Sequence, residues 1–215
     1  MTRILSLFMA LGAAVLMAGG CRPESSSVGE AAGSSRSPSA RPDVFDALRR
    51  DQEAVRHPSD GGGSVRFGLA PEPVTVGQAG SWTFVYRAGP LGIVENGWLF
   101  LQAPPFWGWS TPQVIMEEAL GFTTVSTEAP GLSLEPATVD QQLLAIQIRD
   151  RALAEGEEIH IVYGAGSAGA LADKYAERDS CFHFAVDGDG DGVRALVGDL
   201  LCTEVRAGPA ARLVL

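Results

Sequence analysis

The acidic run DGDGDG carries the most concentrated chemistry in this sequence. Its carboxylates, Asp187, Asp189 and Asp191, alternate with glycines, and Gly192 follows the last of them. This is the first half of a calcium loop of the form D-x-D-x-D-G, in which alternate carboxylates converge on one hard cation and the glycine allows a sharp turn. The run therefore predicts a Ca²⁺ site at these three aspartates.

The second half of the loop departs from that pattern. Position twelve, where a bidentate Glu belongs, is Gly198, and the nearest acid, Asp199, is our candidate for the fourth ligand. A site without the Glu would be weak, in the range of about 10⁻⁴–10⁻³ M that extracellular modules use. A solvated hairpin turn is the alternative, because Asp-Gly is favoured turn chemistry.

Two enzyme motifs overlap in GAGSAG, residues 164–169. The segment follows a strand-like run and precedes a helix candidate, which is the layout of a dinucleotide fingerprint. The strands predicted before this segment are antiparallel, and too few residues follow it to complete a doubly wound parallel sheet. We therefore predict that GAGSAG is a flexible loop and that the protein has no nucleotide cofactor. Ser167 lies in AGSAG, one glycine short of a nucleophile elbow. His160 and His183 are expected to be half-exposed strand residues, and we predict no catalytic residue.

The Pro-rich and Gly-rich loop at 103–113 holds Trp107 and Trp109. Two indoles in such a loop would provide a stacking platform for a sugar ring or an apolar ligand. More often, such a loop folds over the open end of a sandwich and caps its core. Both tryptophans are kept as candidate ligand-binding residues.

The N-terminus is typical of a bacterial lipoprotein. A basic start and an apolar run too short to span a bilayer lead to Ala18-Gly19-Gly20 and then Cys21. This ending resembles a lipobox, although Ala18 stands where Leu is usual. We expect residues 1–20 to be a signal peptide and Cys21 to carry a lipid anchor on the periplasmic or cell-surface side. A plain secretory signal is the alternative.

With Cys21 committed to lipid, Cys181 and Cys202 remain as a pair. Outside the cytoplasm such a pair is expected to form a disulfide. In the chain-entropy model it would stabilise the fold by about 3 kcal/mol. Two buried free thiols are the alternative.

Composition divides the rest of the chain. Residues 21–42 are rich in Ser, Gly, Ala and Pro and predict a disordered tether. Residues 43–63 predict a short helix and a Gly-rich linker, and residues 64–215 a single domain. Without residues 1–20, 15 basic and 26 acidic residues remain, a formal charge of −11. This charge argues against nucleic acid or an anionic lipid surface as the main partner.

Apolar residues alternate with polar ones from residue 64 onward. In SWTFVYR, for example, Trp82, Phe84 and Tyr86 share one face. Such runs, separated by Gly and Pro turns, predict nine or ten strands and an all-β, antiparallel β-sandwich, Ig-like or jelly-roll-like. Short helices are expected at 112–119 and 170–178. The eleven candidate runs for these nine or ten strands are 65–69, 74–76, 81–87, 97–102, 122–127, 132–134, 142–149, 157–164, 181–187, 202–206 and 211–215.

Four stretches resemble the N-terminal β region of a family of uncharacterised bacterial secreted proteins. They are GQAGSWTFVYRAGPLGIVENGWLFLQAPPFWGWSTPQ, EGEEIHIVYGAGSAG, FHFAVDGDGDG and VRAGPAARLVL, which together span about 75–215. In that family the region precedes Ig-like segments and a domain resembling the PHP-type metal-dependent phosphoesterases. The resemblance implies an accessory domain, or a truncated N-terminal part, of a secreted hydrolase system, and it transfers no catalytic residue.

From the residues themselves we expect a lipid-anchored module of the cell envelope with a non-catalytic binding or structural role. The expected cofactor is weakly bound Ca²⁺, and the expected partners are a membrane through Cys21 and a protein or glycan. The hydrolase accessory domain is the alternative function.

Overall fold

The computed structural model describes residues 53–105 and 108–209, all within the compact unit Pro42–Leu215. Among these residues only Glu53 is helical. None of the described helical structure is long and apolar enough to cross a bilayer. Several predictions concern positions outside the described ranges: the signal peptide at 1–20, Cys21, the tether to residue 42, the helix candidate before Glu53, Trp107 and the strand candidate at 211–215.

Thirteen strands are present in the described part of the chain. They are β1 Ser64–Phe67, β2 Val74–Thr75, β3 Ala79–Gly80, β4 Trp82–Arg87, β5 Trp98–Gln102, β6 Thr123–Thr127, β7 Ser133–Asp140, β8 Leu143–Arg149, β9 Glu158–Tyr163, β10 Ala170–Leu171, β11 Glu177–Asp187, β12 Ala195–Leu196 and β13 Leu201–Arg206.

Two main sheets contain most of these strands. The smaller sheet has the order β1-β4-β9-β6, and the larger has the order β2-β13-β11-β5-β8-β7, with β12 also paired to β11. β10 and β3 form a separate two-stranded sheet. The named strand pairs are antiparallel except β13 with β2. The predicted all-β, antiparallel sandwich is confirmed.

The hydrophobic core lies between the two main sheets. Phe84 on β4 packs against Phe182 and Phe184 on β11, with ring centroids 4.8 and 5.4 Å apart. All three side chains are buried, because the period of two turns every second residue of each strand inward. Burial of these apolar faces is the main stabilising contribution to the sandwich.

The two short helices expected within the domain are not formed, and that prediction is wrong. Residues 112–119 form turns, in which the Gln113 side chain accepts hydrogen bonds from the backbone N–H groups of Ile115 and Met116. Both apolar side chains are exposed, so a helix here would bury no apolar face and gain no packing. In the segment 170–178, strand β10 forms instead and pairs with β3.

β7 continues through Pro136, beyond the strand candidate at 132–134. It is an edge strand with only β8 as its neighbour in the sheet order. A proline lacks the N–H that a second neighbour would need, and an edge strand tolerates this loss.

Candidate functional site

The DGDGDG run lies in the turn of a hairpin at one end of the larger sheet. β11 ends at Asp187, and the chain then returns along one edge of β11 as β12 and β13. In this return Ala195 pairs with Val186, and Cys202 pairs with Cys181. The hairpin therefore holds the loop 188–194 beside the end of β11.

Three carboxylates meet at this turn. Asp60, Asp187 and Asp189 each place one oxygen within 4.8 Å of the other two. The sequence predicted Asp187 and Asp189 as ligands, but it assigned Asp60 to the linker. The only local signal for Asp60 is its place in HPSDGGG, where an acid precedes a glycine turn. The described residues contain no other such group of three acidic, His or Cys ligands.

Backbone amides fix the Asp187 carboxylate. Its Oδ1 accepts a hydrogen bond from Gly190 N at 2.7 Å, and its Oδ2 accepts one from Gly192 N at 2.9 Å. Gly190 and Gly192 have φ values of +77° and +91°, a region that favours glycine. The alternating glycines therefore let the loop wrap around the first aspartate.

Asp60 is held in the same way from the other side. Its Oδ1 accepts a hydrogen bond from Gly188 N at 2.9 Å, and its Oδ2 accepts one from His57 N at 2.7 Å. A carboxylate oxygen has two lone pairs, so each of these oxygens keeps acceptor capacity. The backbone amides therefore orient the carboxylates and leave lone pairs free to coordinate a cation.

The surroundings of Asp187 disfavour the charge of its carboxylate and raise its pKa. Burial raises the pKa of Asp187, the amides of Gly192 and Gly190 lower it, and the charges of Asp191 and Asp60 raise it again. The Oδ1 of Asp189 is buried and has no hydrogen-bond partner. A buried acceptor without a partner costs free energy, and a cation between these carboxylates would remove that cost.

The structure does not bring Asp191 and Asp199 into this group. Asp191 is exposed, and its Oδ1 accepts a hydrogen bond from Val193 N at 2.7 Å. The Oδ2 of Asp199 accepts one from Val65 N at 2.9 Å, which ties the chain before β13 to β1. The three-acid cluster thus contains Asp60 in addition to two of the four predicted ligands.

The predicted disulfide between Cys181 and Cys202 is confirmed. The two residues are directly opposite each other on β11 and β13, with their Cα atoms 4.0 Å apart. The bond closes a loop across 21 positions that contains the whole acidic turn.

Trp109 lies in the core and has 3% of its surface exposed. Its ring packs 4.9 Å from Trp82 and 5.3 Å from Phe182, and its Nε1–H donates a hydrogen bond to Ser180 Oγ at 3.1 Å. This is the capping arrangement that the sequence left open. A ring buried to this extent presents no face to a ligand, so the structure does not place Trp109 at a stacking platform.

GAGSAG links β9 to β10, so a strand and not a helix follows it. The N–H groups of Gly164 and Ala165 both donate to the carbonyl of Phe122 at 2.8 Å, and Gly169 N donates to Gly166 O at 3.0 Å. The loop is therefore a hydrogen-bonded turn and differs from the flexible loop expected. It lacks the strand-to-helix turn on which both enzyme motifs depend.

His160 and His183 belong to different sheets, on β9 and β11. A close Ser–His pair does occur in the turn before β1, where Ser59 Oγ lies 2.7 Å from His57 Nδ1. The same nitrogen also accepts from Ser59 N at 3.3 Å, and Ser59 is buried. This contact closes a local turn.

No family model and no curated protein matches this chain. Among solved structures it is similar to a cohesin module from the Clostridium perfringens ATCC13124 family 33 glycoside hydrolase. That similarity has 12% identity and a TM-score of 0.35, and it covers 68% of this chain and 96% of the module. It is also similar to AvmM, which catalyses macrocyclization in alchivemycin A biosynthesis, with 14% identity, a TM-score of 0.38 and coverage of 71% and 93%. TM-scores this low carry no argument about function.

Proposed function

We propose that this chain is a non-catalytic β-sandwich module of the bacterial cell envelope, with a binding or structural role, whose hairpin loop binds a divalent cation of the Ca²⁺ class. The observation that carries the cation site is the buried, unpartnered Oδ1 of Asp189 beside the carboxylates of Asp60 and Asp187. The β-sandwich supplies the rigid frame on which these three acids meet.

Carboxylate oxygens are the ligands that hard cations prefer, and Ca²⁺ accepts irregular geometry more readily than Mg²⁺ does. Asp60 and Asp187 are each held by two backbone N–H groups, so little ordering is needed on binding. A site with three carboxylates and no bidentate Glu belongs with the weak class, with a dissociation constant of about 10⁻⁴–10⁻³ M. Such an affinity suits a compartment where Ca²⁺ is abundant.

The envelope location rests on the lipobox-like sequence before Cys21, and the Cys181–Cys202 disulfide favours an oxidising compartment. Metabolic labelling with an alkyne fatty acid tests the anchor. The wild-type chain should be labelled and sediment with membranes, and Cys21→Ser should lose both properties. A Cys21→Ser protein that keeps its label would exclude lipidation at this residue.

Binding of the cation is tested by thermal unfolding of the purified full chain. The melting temperature should rise in millimolar Ca²⁺ and fall in chelator, because a ligand at ten times its dissociation constant stabilises the folded state by about 1.4 kcal/mol. Asp60→Asn and Asp189→Asn should remove most of the response. Asp140→Asn on β7 is the matched control, because Asn keeps an acceptor for Gln141 N and the residue lies outside the cluster.

An unchanged melting curve in Ca²⁺ would overturn the cation site. So would an equal response from wild type and Asp189→Asn. A second readout is terbium luminescence, for which the indole of Trp98, the register partner of Asp187 on the neighbouring strand, is the expected sensitiser. Trp98→Phe should weaken the luminescence while leaving the Ca²⁺ response in place.

A further inference from the structure

A cavity of about 250 Å³ opens on the outer face of the larger sheet, away from the core. It is lined by side chains of β5, β8 and β11 and by the return segment that contains β12. Its lining includes Phe100, Gln102, Leu143, His183, Arg194 and Leu196.

Strand register explains why a depression forms here. Phe100 on β5 lies between Ala185 on β11 and Ala145 on β8, its direct partners on either side. Because the two alanine side chains are much smaller than the phenyl ring, the surface of the sheet is depressed on either side of Phe100. Leu196 on β12 pairs with Ala185 and forms the far rim.

The next row along the same strands is polar. Gln102 on β5 lies between His183 on β11 and Leu143 on β8. Its Nε2 donates to the carbonyls of Ala103 and Gln142, at 3.2 and 3.1 Å, which fixes the amide. Its Oε1 remains an acceptor at the cavity.

Arg194 forms a wall of the cavity. Its guanidinium carbon lies 4.6 Å from the centre of the Phe100 ring, a cation–π contact that reaches from the return segment over β5. Within the described part of the chain, neither the Arg194 guanidinium nor the His183 imidazole has a hydrogen-bonding or ion-pair partner. One face of the guanidinium lies against the Phe100 ring, and its N–H groups and the imidazole nitrogens are the groups that we assign to a ligand.

We propose that this cavity binds one neutral pyranose ring of a saccharide. A pyranose has apolar C–H faces and a rim of hydroxyl groups. The cavity matches both, with Phe100, Leu143 and Leu196 as its apolar surface. The three polar groups, from Gln102, His183 and Arg194, supply donors and acceptors for the hydroxyls.

Two observations favour a sugar over a peptide or a polyanion. β5 and β11 have neighbours on both sides here, so no free strand edge is available to add a peptide strand. The formal charge of −10 disfavours acidic polymers. The volume suits one ring, with the rest of an oligosaccharide lying outside.

The proposed cation site would support this cavity, and this step alone rests on the proposed function. The loop 188–194 begins beside Asp187 and ends at Arg194, so a cation that orders the loop also fixes the guanidinium wall. Saccharide affinity should therefore fall in chelator. The contacts of Gln102, His183 and Leu143 with the sugar are independent of the loop.

Isothermal titration of the purified full chain with neutral hexasaccharides of glucose, mannose, galactose, xylose and N-acetylglucosamine tests the proposal. At least one series should bind and should change the fluorescence of Trp98, which packs against Phe100 with ring centroids 6.2 Å apart. His183→Ala and Arg194→Ala should each weaken binding about tenfold, the loss expected when a hydrogen bond is removed. His160→Ala on the other sheet and Arg206→Ala on β13 are the matched controls and should bind as wild type does.

The proposal would be overturned if none of the hexasaccharides bound at millimolar concentration, or if binding survived both cavity variants. Retention of a random peptide library by wild type, with loss in His183→Ala and no saccharide bound, would also overturn it and make the occupant a peptide. Ca²⁺ stabilisation without saccharide binding would defeat only this inference. Saccharide binding without a Ca²⁺ response would defeat only the cation site.

Discussion

The carboxylate of Asp60 accepts a hydrogen bond from the backbone N–H of Gly188 at 2.9 Å, across 128 positions of the sequence. Through this contact the turn before β1 is joined to the turn that follows β11. A residue in a Gly-rich linker thus becomes part of the acidic cluster.

Asp60→Ala should lower the free energy of unfolding by about 1–3 kcal/mol even in chelator, because it leaves the part-buried N–H group of Gly188 without its acceptor, whereas the exposed N–H group of His57 can bond to water. Asp60→Asn keeps one acceptor oxygen and should lose mainly the Ca²⁺ response. Urea unfolding with and without Ca²⁺ separates the two effects. Equal stability of wild type and Asp60→Ala in chelator would show that this contact is not structural.

Trp109→Ala should destabilise the domain by about 3–5 kcal/mol, because it opens a cavity beside Trp82 and Phe182. Ser180→Ala should cost about 1–3 kcal/mol, because it leaves the buried indole N–H without its acceptor. Ile115→Ala is the control, since an exposed side chain should change stability by less than about 0.5 kcal/mol. A Trp109→Ala protein as stable as this control would contradict the capping role.

Replacing both Cys181 and Cys202 with Ser should lower the free energy of unfolding by about 3 kcal/mol, mainly because the unfolded chain gains freedom when the loop across 21 positions is opened. A reductant should lower the stability of wild type to a similar level and leave the double variant unchanged. Denaturant unfolding with and without reductant measures both effects. A double variant as stable as oxidised wild type would show that the bond contributes nothing.

Glu157 should make stability fall in acid. Hydrogen bonds from the Arg151 guanidinium, at 2.7 and 2.8 Å, and from Ala154 N lower the pKa of the Glu157 carboxyl below its ordinary range. A lowered folded-state pKa means that its contribution is complete above the unfolded pKa and is lost as the pH falls through the folded value. Urea unfolding over this range should show a shallower loss for Glu157→Gln, and an unchanged pH profile would contradict the pairing.

The strands of the sandwich could be predicted from the local alternation of apolar and polar residues. Trp82, Phe84 and Tyr86 occupy one face because a strand turns alternate residues to the same side wherever it lies. The disulfide followed from the number of cysteines. The helix at 112–119 was wrong because apolar spacing alone does not show whether Ile115 will find a surface to pack against.

The functional geometry depended on packing between distant segments. Nothing near Asp60 in the sequence indicates that it joins Asp189, and nothing near Trp109 indicates that its ring faces Ser180 instead of solvent. The outer-face cavity depends on the register in which β5 pairs with β11 and β8. The alternation of residues within each strand does not determine this register.

The sequence by itself therefore determined the fold class, the cysteine pair and two of the three clustered acids. Each depends on neighbouring residues or on composition. Only the tertiary structure decided that Asp60 joins the cluster, that the indole of Trp109 is buried and that His183 lies beside Gln102. These features depend on contacts that form when the strands pair and the sheets pack.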